Sequence, residues 1–573
     1  MELVQAAGRV LLEQVQVADD DHERGAQFVR NDREEVARER FLALLDALRP
    51  QDPSGEEGRR REGRQGGGER GEQGPAQERA RSEDEEGAQQ GELEDDRAEG
   101  HRLTVYQFPD CPRQRSRLGP RLCQNEHAVT PLLLLLAGAA LLWGLVHLLR
   151  VAAIGAAYKA KALCSGLFLS GRTVESLRTD VSDDSYRILR LFRVSVDRHR
   201  RTVTGSFFGL RARTAVYRPG LGATLAIGTR PDALEPKALP ASAARPDWEH
   251  RPLEPVQRAV DRTFSEPDPL KLRRTRAVVV LRDGRILAER YAPGFGEAMP
   301  LPGWSMGKSV LNALVGISVK EGRLSLEQKN LLPEWSAPGD ARSAITLEDL
   351  LRMRSGLEFA EVYKDPLSDV TRMLFASRSA ALFAAAKPLR APPGTLWAYQ
   401  SGTSNILSRI VRLAAEKAGE DPLLFPRRAL FDPLGMRAVP EPDAAGDFVF
   451  SSFLYASARD WARFGQLYAQ DGVWEGRRLL PEGWVRFSTT PTPQSPEGRY
   501  GAHWWLRLSR EFGGETEAAG RIPPDAFHAM GHEGQVLSVL PSLKLVAVRL
   551  GMSIRVDAWD HAAFLAEVVD ALG

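Results

Sequence analysis

The ten residues Leu301-Pro302-Gly303-Trp304-Ser305-Met306-Gly307-Lys308-Ser309-Val310 decide how the rest of the chain is read. They contain Ser305-x-x-Lys308 and lead into the apolar run Val310-Leu311-Asn312-Ala313-Leu314-Val315-Gly316-Ile317, which ends near Gly322. Read as a helix, the run puts Ser305 at its N-terminal end and Lys308 one turn later on the same face. A serine hydroxyl is a poor nucleophile until a base takes its proton, and a lysine desolvated against a buried helix can be that base. Unpaired N–H groups at the helix N-terminus favour negative charge developing beside them. The same letters invite a phosphate-loop reading closed by Gly307-Lys308-Ser309. That loop needs glycine at 302, and Pro302 removes a backbone donor there. The nucleotide reading is set aside. Ser-x-x-Lys alone is a common chance pairing, so the chemistry needs support from elsewhere in the chain.

Upstream, the chain changes character several times. A length of 573 residues predicts about two to four segments. Lys and Arg number 77 against 76 Asp and Glu, so composition points to no nucleic-acid partner. Cys111, Cys123 and Cys164 are scattered and give neither a disulfide framework nor a C-x-x-C metal pair. Residues 1–127 form the first segment. Positions 33–48 read as an isolated amphipathic helix carrying Val36, Phe41, Leu42, Leu44 and Leu45. Positions 51–100 are almost wholly Gly, Glu, Arg, Gln, Asp and Ala, too little apolar surface to offset chain entropy, and read as disordered. An interaction tail and a start assigned upstream of the real protein are the alternatives. Acid runs such as Asp19-Asp20-Asp21-His22 lack the spacing of a folded metal site, and no metal or cofactor is expected.

Residues 128–150 read as a transmembrane helix or signal anchor. From Ala128 to Leu149 only Thr130 and His147 interrupt the apolar run, long enough to cross about 30 Å of hydrocarbon. Arg113, Arg115, Arg117 and Arg121 precede it and point to the N-terminus inside, with the catalytic side extracytoplasmic. Arg150, Lys159 and Lys161 follow it and blur that argument. With a start near 129 the run becomes a signal sequence, and Gly155-Ala156-Ala157 its cleavage region. Residues 151–265 read as an accessory β-rich segment and linker. Within it, 201–209 and 214–218 pair as an exposed hairpin and proline-rich 231–256 connects.

The compact domain is expected over 266–573. Ala277–Leu281 and Ile286–Tyr291 flank Asp283-Gly284, a strong hairpin signal. The stretch from about 340 to 480 is helical in pattern and broken by Pro and Gly. Gln535–Leu540 and Leu543–Leu550 read as strands, and 558–572 as a closing helix. Strands at both ends with helices between predict an α+β fold, one antiparallel sheet formed from both ends of the domain, flanked by helices, with a mostly helical inserted region.

Two further stretches complete the candidate chemistry. Trp397-Ala398-Tyr399-Gln400-Ser401-Gly402 follows Pro392-Pro393-Gly394, and Gly531-His532-Glu533-Gly534-Gln535 opens a strand. Each alone reads more simply, as a core tyrosine and a glycine-flanked turn. In the order Ser-x-x-Lys, Tyr-x-Ser, His-x-Gly they resemble the serine β-lactamase and penicillin-binding protein superfamily, whose elements are S-x-x-K, a Tyr or Ser motif and K-T-G. The chain is most similar to its class C branch, and there to esterases and 6-aminohexanoate-dimer hydrolases. Thr346–Leu357, Tyr363–Val370, Asp432-Pro433-Leu434-Gly435-Met436 and Tyr500-Gly501-Ala502-His503-Trp504-Trp505 carry the likeness further.

The resemblance implies a serine hydrolase cleaving a small ester or amide without a cofactor. Ser305 would be the nucleophile that forms an acyl-enzyme. Lys308 would accept its proton or hold Tyr399 in the state that does, and Tyr399 would protonate the leaving group. The backbone N–H groups of Ser305 and Gln535 would form the oxyanion hole, with Ser401, His532 and Gly534 bordering the cleft. Two departures matter. His532 stands where penicillin-recognising enzymes usually have lysine, and Ser401 where class C enzymes often have asparagine. A D,D-peptidase or true β-lactamase is the second reading, and a non-catalytic sensor on the same fold the third.

Overall fold

The computed structural model describes residues 126–573 apart from 182–186, 235–238, 240–247 and 556. The expectations for 33–48 and 51–100, and the arginines before the apolar run, lie outside the described residues.

Helix α1 spans Glu126–Phe168, well past the boundary expected at 150. Its two halves behave differently. From Leu134 to Leu148 every side chain is exposed, whereas most positions from Ala152 onward are buried. The change follows the sequence, from bulky Leu to Ala152, Ala153, Gly155, Ala156, Ala157 and Ala160. Small side chains let a sheet approach the helix backbone closely. A Cβ on Gly205 would stand 2.5 Å from the Ala156 carbonyl, and one on Gly155 would meet the Phe192 ring. Gly155-Ala156-Ala157 therefore lies inside a continuous, packed helix.

The sheet that covers α1 has four antiparallel strands in the order β1-β2-β3-β4: Phe192–Asp197, Thr202–Phe207, Leu210–Arg218 and Gly222–Leu225. The expected hairpin is β2–β3, joined by a two-residue turn at Phe208-Gly209. The layer is no loose appendage. Lys161 pairs with buried Glu441 and donates to the Ala223 carbonyl, while the Ser165 hydroxyl and the Ala223 N–H also reach Glu441. One carboxylate thus ties helix and sheet to the main domain.

That domain starts before 266. Strand β5, Glu249–His250, and helix α2, Glu254–Arg262, already belong to it. Its six-stranded sheet also contains β6 (Ala277–Arg282) and β7 (Arg285–Tyr291), and β8 (Phe527–Gly531), β9 (Gln535–Leu540) and β10 (Leu545–Leu550). The order is β8-β9-β10-β6-β7-β5, so the two chain ends meet where β10 pairs antiparallel with β6. Only β5 runs parallel to its neighbour. The β6–β7 turn puts Asp283 at φ 48 and Gly284 at φ 76, the left-handed pair an Asp-Gly hairpin turn demands.

Ala277–Leu281 is continuously apolar because both sheet faces are covered. Val279 and Leu281 pack into one core, Val278 and Val280 into another with α2 and the terminal helix. Helix α3, Gly307–Lys320, is buried from Gly307 to Ser318, and α4 (Ser401–Lys417) and α5 (Ala458–Ala469) pack in the same layer. Gly465 of α5 meets Val546 and Leu537, fixing that layer on the sheet. Terminal helix α6, His561–Asp570, covers the other face. The result is an α+β architecture with a helical insertion.

Candidate active site

Ser305 sits in a 3-10 turn, Trp304–Met306, that runs directly into α3. Trp304 is held at φ 50, a costly conformation for a bulky residue. Gly307 permits the tight entry, since a Cβ there would lie 2.4 Å from the Phe450 carbonyl. The turn packs against β8 and β9, so the hydroxyl stands at the edge of the sheet. Ser305 is half-buried and Lys308, one turn on, is buried.

Lys308 Nζ donates to Ser305 Oγ at 2.9 Å, to Ser401 Oγ at 3.1 Å and to the Ser451 carbonyl at 3.1 Å. Burial disfavours the ammonium and brings its pKa down to about 8, with the Glu361 carboxylate opposing the shift. Tyr399 presents its ring to the same amine, 4.9 Å from centroid to nitrogen, and its phenol is a hydrogen-bond partner of Ser305. Burial pushes that phenol well up despite the Ser305 bond. Near neutrality Lys308 titrates while Tyr399 keeps its proton. The aromatic stretch Tyr500–Trp505 supports Tyr399, with Tyr500 edge-on at 5.9 Å and Trp505 tilted at 5.2 Å.

Ser401 begins α4 and is fully buried. Its hydroxyl accepts from Lys308 and donates to Glu361, whose carboxylate also takes the Ser401 N–H at 2.9 Å. Glu361 was missed in the sequence. It lies in an irregular loop just after Ser355-Gly356-Leu357, where no periodicity reports which way a side chain turns. Desolvation raises its pKa, opposed first by Lys308 and then by Ser401. Tyr363, two residues on, hydrogen-bonds Ser401 and Ser452.

The third element frames the opening. His532 stacks on Tyr363, centroids 5.1 Å apart, and meets Trp304 edge-on at 5.5 Å. Gly534 has φ 83, and a Cβ there would strike Arg549, which donates to its carbonyl at 2.7 Å. The Gln535 side chain turns inward, giving Nε2 to the His532, Glu533 and Gly551 carbonyls and taking the Gly551 N–H. Only its backbone amide is left for the role the resemblance implies. His503 is nearby but belongs to the framework. Its Nε2 meets Ser404 at 2.9 Å and its Nδ1 the Leu351 carbonyl at 2.7 Å, and burial drives its pKa down to about 3.

The structure therefore brings Ser305, Lys308, Tyr399 and Ser401 into one cluster with His532 at its rim. A buried amine whose pKa is lowered to about 8, touching a more accessible hydroxyl, can in its base form deprotonate it for attack on a carbonyl.

Residues 271–552 match the family model described as Beta-lactamase. A 6-aminohexanoate-dimer hydrolase of Paenarthrobacter ureafaciens is 28% identical over 292 residues, covering 47% of this chain and 74% of the relative. Among solved structures, a Bacillus anthracis protein assigned provisionally as a 6-aminohexanoate-dimer hydrolase is 22% identical, with a TM-score of 0.46 over 58% of this chain and 89% of its own. A penicillin-binding protein homologue from Caulobacter crescentus is 17% identical, with a TM-score of 0.42 over 58% and 100%.

Proposed function

We propose that this chain, whose residues 271–552 form a domain of the β-lactamase family, is a membrane-tethered serine hydrolase that cleaves a small ester or amide through an acyl-enzyme on Ser305. The observation that carries the reading is the 2.9 Å contact between Lys308 Nζ and Ser305 Oγ, with the amine's pKa brought down to about 8. Neutral Lys308 takes the Ser305 proton as Oγ attacks the carbonyl carbon. Negative charge collects on the carbonyl oxygen, which faces the Ser305 and Gln535 N–H groups. Tyr399 passes its proton to the leaving alkoxide or amine as that bond breaks, and the ammonium of Lys308 replenishes it. Water then attacks the acyl carbon with the roles reversed, and carboxylic acid departs from Ser305.

The rim bears on substrate class. A lysine at 532 would place a permanent point charge before a substrate carboxylate. Here an imidazole is stacked on Tyr363 and edge-on to Trp304, with Glu533 Oε1 4.0 Å from its Nε2. That environment suits uncharged acyl groups. The sensor reading is the weaker one, because a sensor has no use for a depressed lysine against a serine hydroxyl.

The tether is proposed from the exposed apolar half of α1. Of the basic residues that follow it, Lys159 and Lys161 are buried on carbonyls and Glu441, leaving Arg150 exposed. Four arginines lie on the other flank, which supports an extracytoplasmic catalytic domain. The test is a panel of p-nitrophenyl esters, short linear amides and nitrocefin on detergent-solubilised full-length protein and its Ser305→Ala variant. Turnover lost in the variant supports the reading, and turnover kept overturns it.

A further inference from the structure

The turn between β2 and β3 carries the wrong residue for its shape. Phe208 and Gly209 have φ of 48 and 84, a two-residue hairpin turn whose first position favours Asn or Asp. A bulky aromatic in the left-handed region is strained, and this one is also 59% exposed. Its contact with Phe207 leaves most of the ring exposed. Leu210 beside it is 58% exposed and Ile188, in the 3-10 turn before β1, is 63% exposed. Leu191, ending that turn, is exposed too.

These residues share one end of the accessory sheet, and that end can be placed along α1. Phe208 meets Phe207, Phe207 meets Phe192, and Phe192 lies against Gly155, a chain of rings from the hairpin tip to the helix. At the far end of β2 the Arg201 carbonyl faces Cys164, so β2 runs back along α1 toward its N-terminus. Gly205 is level with Ala156. From there to Phe208 is about 10 Å of strand, or roughly seven helical residues, which reaches Leu149–Arg150. That is where the exposed apolar run of α1 ends. Exposed Arg150, Arg193 and Arg211 lie at the same level or beside the tip.

We infer that the Phe208-Gly209-Leu210 tip, with Ile188 and Leu191, is a second membrane contact that dips into the headgroup region beside α1. The inference rests on the proposed tether. The occupant is a lipid surface because the patch continues an apolar helix face into the plane where that helix emerges. Aromatic and aliphatic tips there face the acyl boundary, and the three arginines can reach lipid phosphates. A single helix leaves a domain free to tilt about its exit point. A second contact, offset by the width of the sheet, would fix how the catalytic domain stands over the bilayer.

The test uses full-length protein with Cys111 and Cys123 replaced by serine, reconstituted in phosphatidylcholine vesicles. Cys164 is buried and is left in place. Exposed cysteines introduced one at a time by Phe208→Cys, Leu210→Cys, Leu142→Cys and His199→Cys are labelled with an NBD fluorophore, with the parent protein as the labelling blank. Residue 199 is in the turn at the opposite end of β1–β2. Lipids with a nitroxide near the headgroup should quench the labels at 208 and 210 by about twofold, and lipids with a deep nitroxide the label at 142, with 199 unaffected. Quenching at 142 without quenching at 208 and 210 overturns the second contact and leaves the tether standing. No quenching at 142 removes the tether, and the inference with it. Equal quenching at 199 and 208 overturns the inference as well, since the tip would then have no special place.

Discussion

Lys308 and Glu361 are joined through a single hydroxyl, Ser401 Oγ, which accepts from the amine at 3.1 Å and donates to the carboxylate. The two charges oppose each other's desolvation: Lys308 holds the Glu361 pKa down, and Glu361 holds the Lys308 pKa up. Burial wins at both, leaving Lys308 at about 8 and Glu361 above the ordinary carboxylate range.

The pH dependence of the reaction follows. The base form of Lys308 is the minor form below pH 8 and the major one above it, so kcat/KM for a neutral ester should rise through pH 8 to a plateau. Glu361→Gln removes the charge that favours the ammonium, and the limb should move to lower pH. A purely structural Glu361 would lower the rate without moving the limb. An unmoved limb, or one displaced upward, rejects the coupling.

The nucleophile is tested by covalent labelling. Ser305→Ala should abolish reaction with a fluorophosphonate, with little change in thermal stability, because Ser305 is half-buried and its hydroxyl contacts only the site. Lys308→Ala and Tyr399→Phe should each reduce turnover by roughly a hundredfold or more. Near-native rates in both would show that the three-element site is misassigned.

The proposed role of His532 makes a prediction about substrate preference. Short-chain esters should exceed nitrocefin in kcat/KM by about two orders of magnitude, or about 2.7 kcal/mol of transition-state binding. His532→Lys should narrow that gap by improving the β-lactam more than the ester. Efficient nitrocefin hydrolysis by the unmodified protein, with ester turnover at background, would promote the β-lactamase alternative.

The Lys161–Glu441 pair makes a prediction about stability. Glu441→Ala leaves a buried ammonium unpaired and should cost about 3–5 kcal/mol, read as a lowered denaturation midpoint. Replacing both partners by apolar residues of similar size should recover much of that loss. A chain begun at 165 lacks Lys161 and also the helix face on which the four-stranded sheet packs, and should lose more than the single variant. One begun at 151 keeps both and should not. Equal midpoints for all of them would mean that the accessory layer does not contribute to the fold of the main domain.

Much of this protein is legible in one dimension. The Asp283-Gly284 turn, the apolar strands at both ends of the domain and the helix after Ser305 are local signals, because turn chemistry and side-chain periodicity act over a few residues. The i, i+3 placement of Ser305 and Lys308 is legible for the same reason. Tertiary structure alone decided the rest. Glu361 reaches Ser401 from an irregular loop, and a loop has no period that reports the direction of a side chain. The second half of α1 reads as the start of a β-rich accessory segment or, at Gly155-Ala156-Ala157, as a cleavage region. What it does depends on a four-stranded sheet, later in the chain, that needs its small residues in order to approach. Lys161 reads as a flanking charge until Glu441, far along the sequence, is found beside it. Local patterns determine which elements form, but which buried charges meet is settled only when distant segments pack, since desolvation makes each depend on its partner.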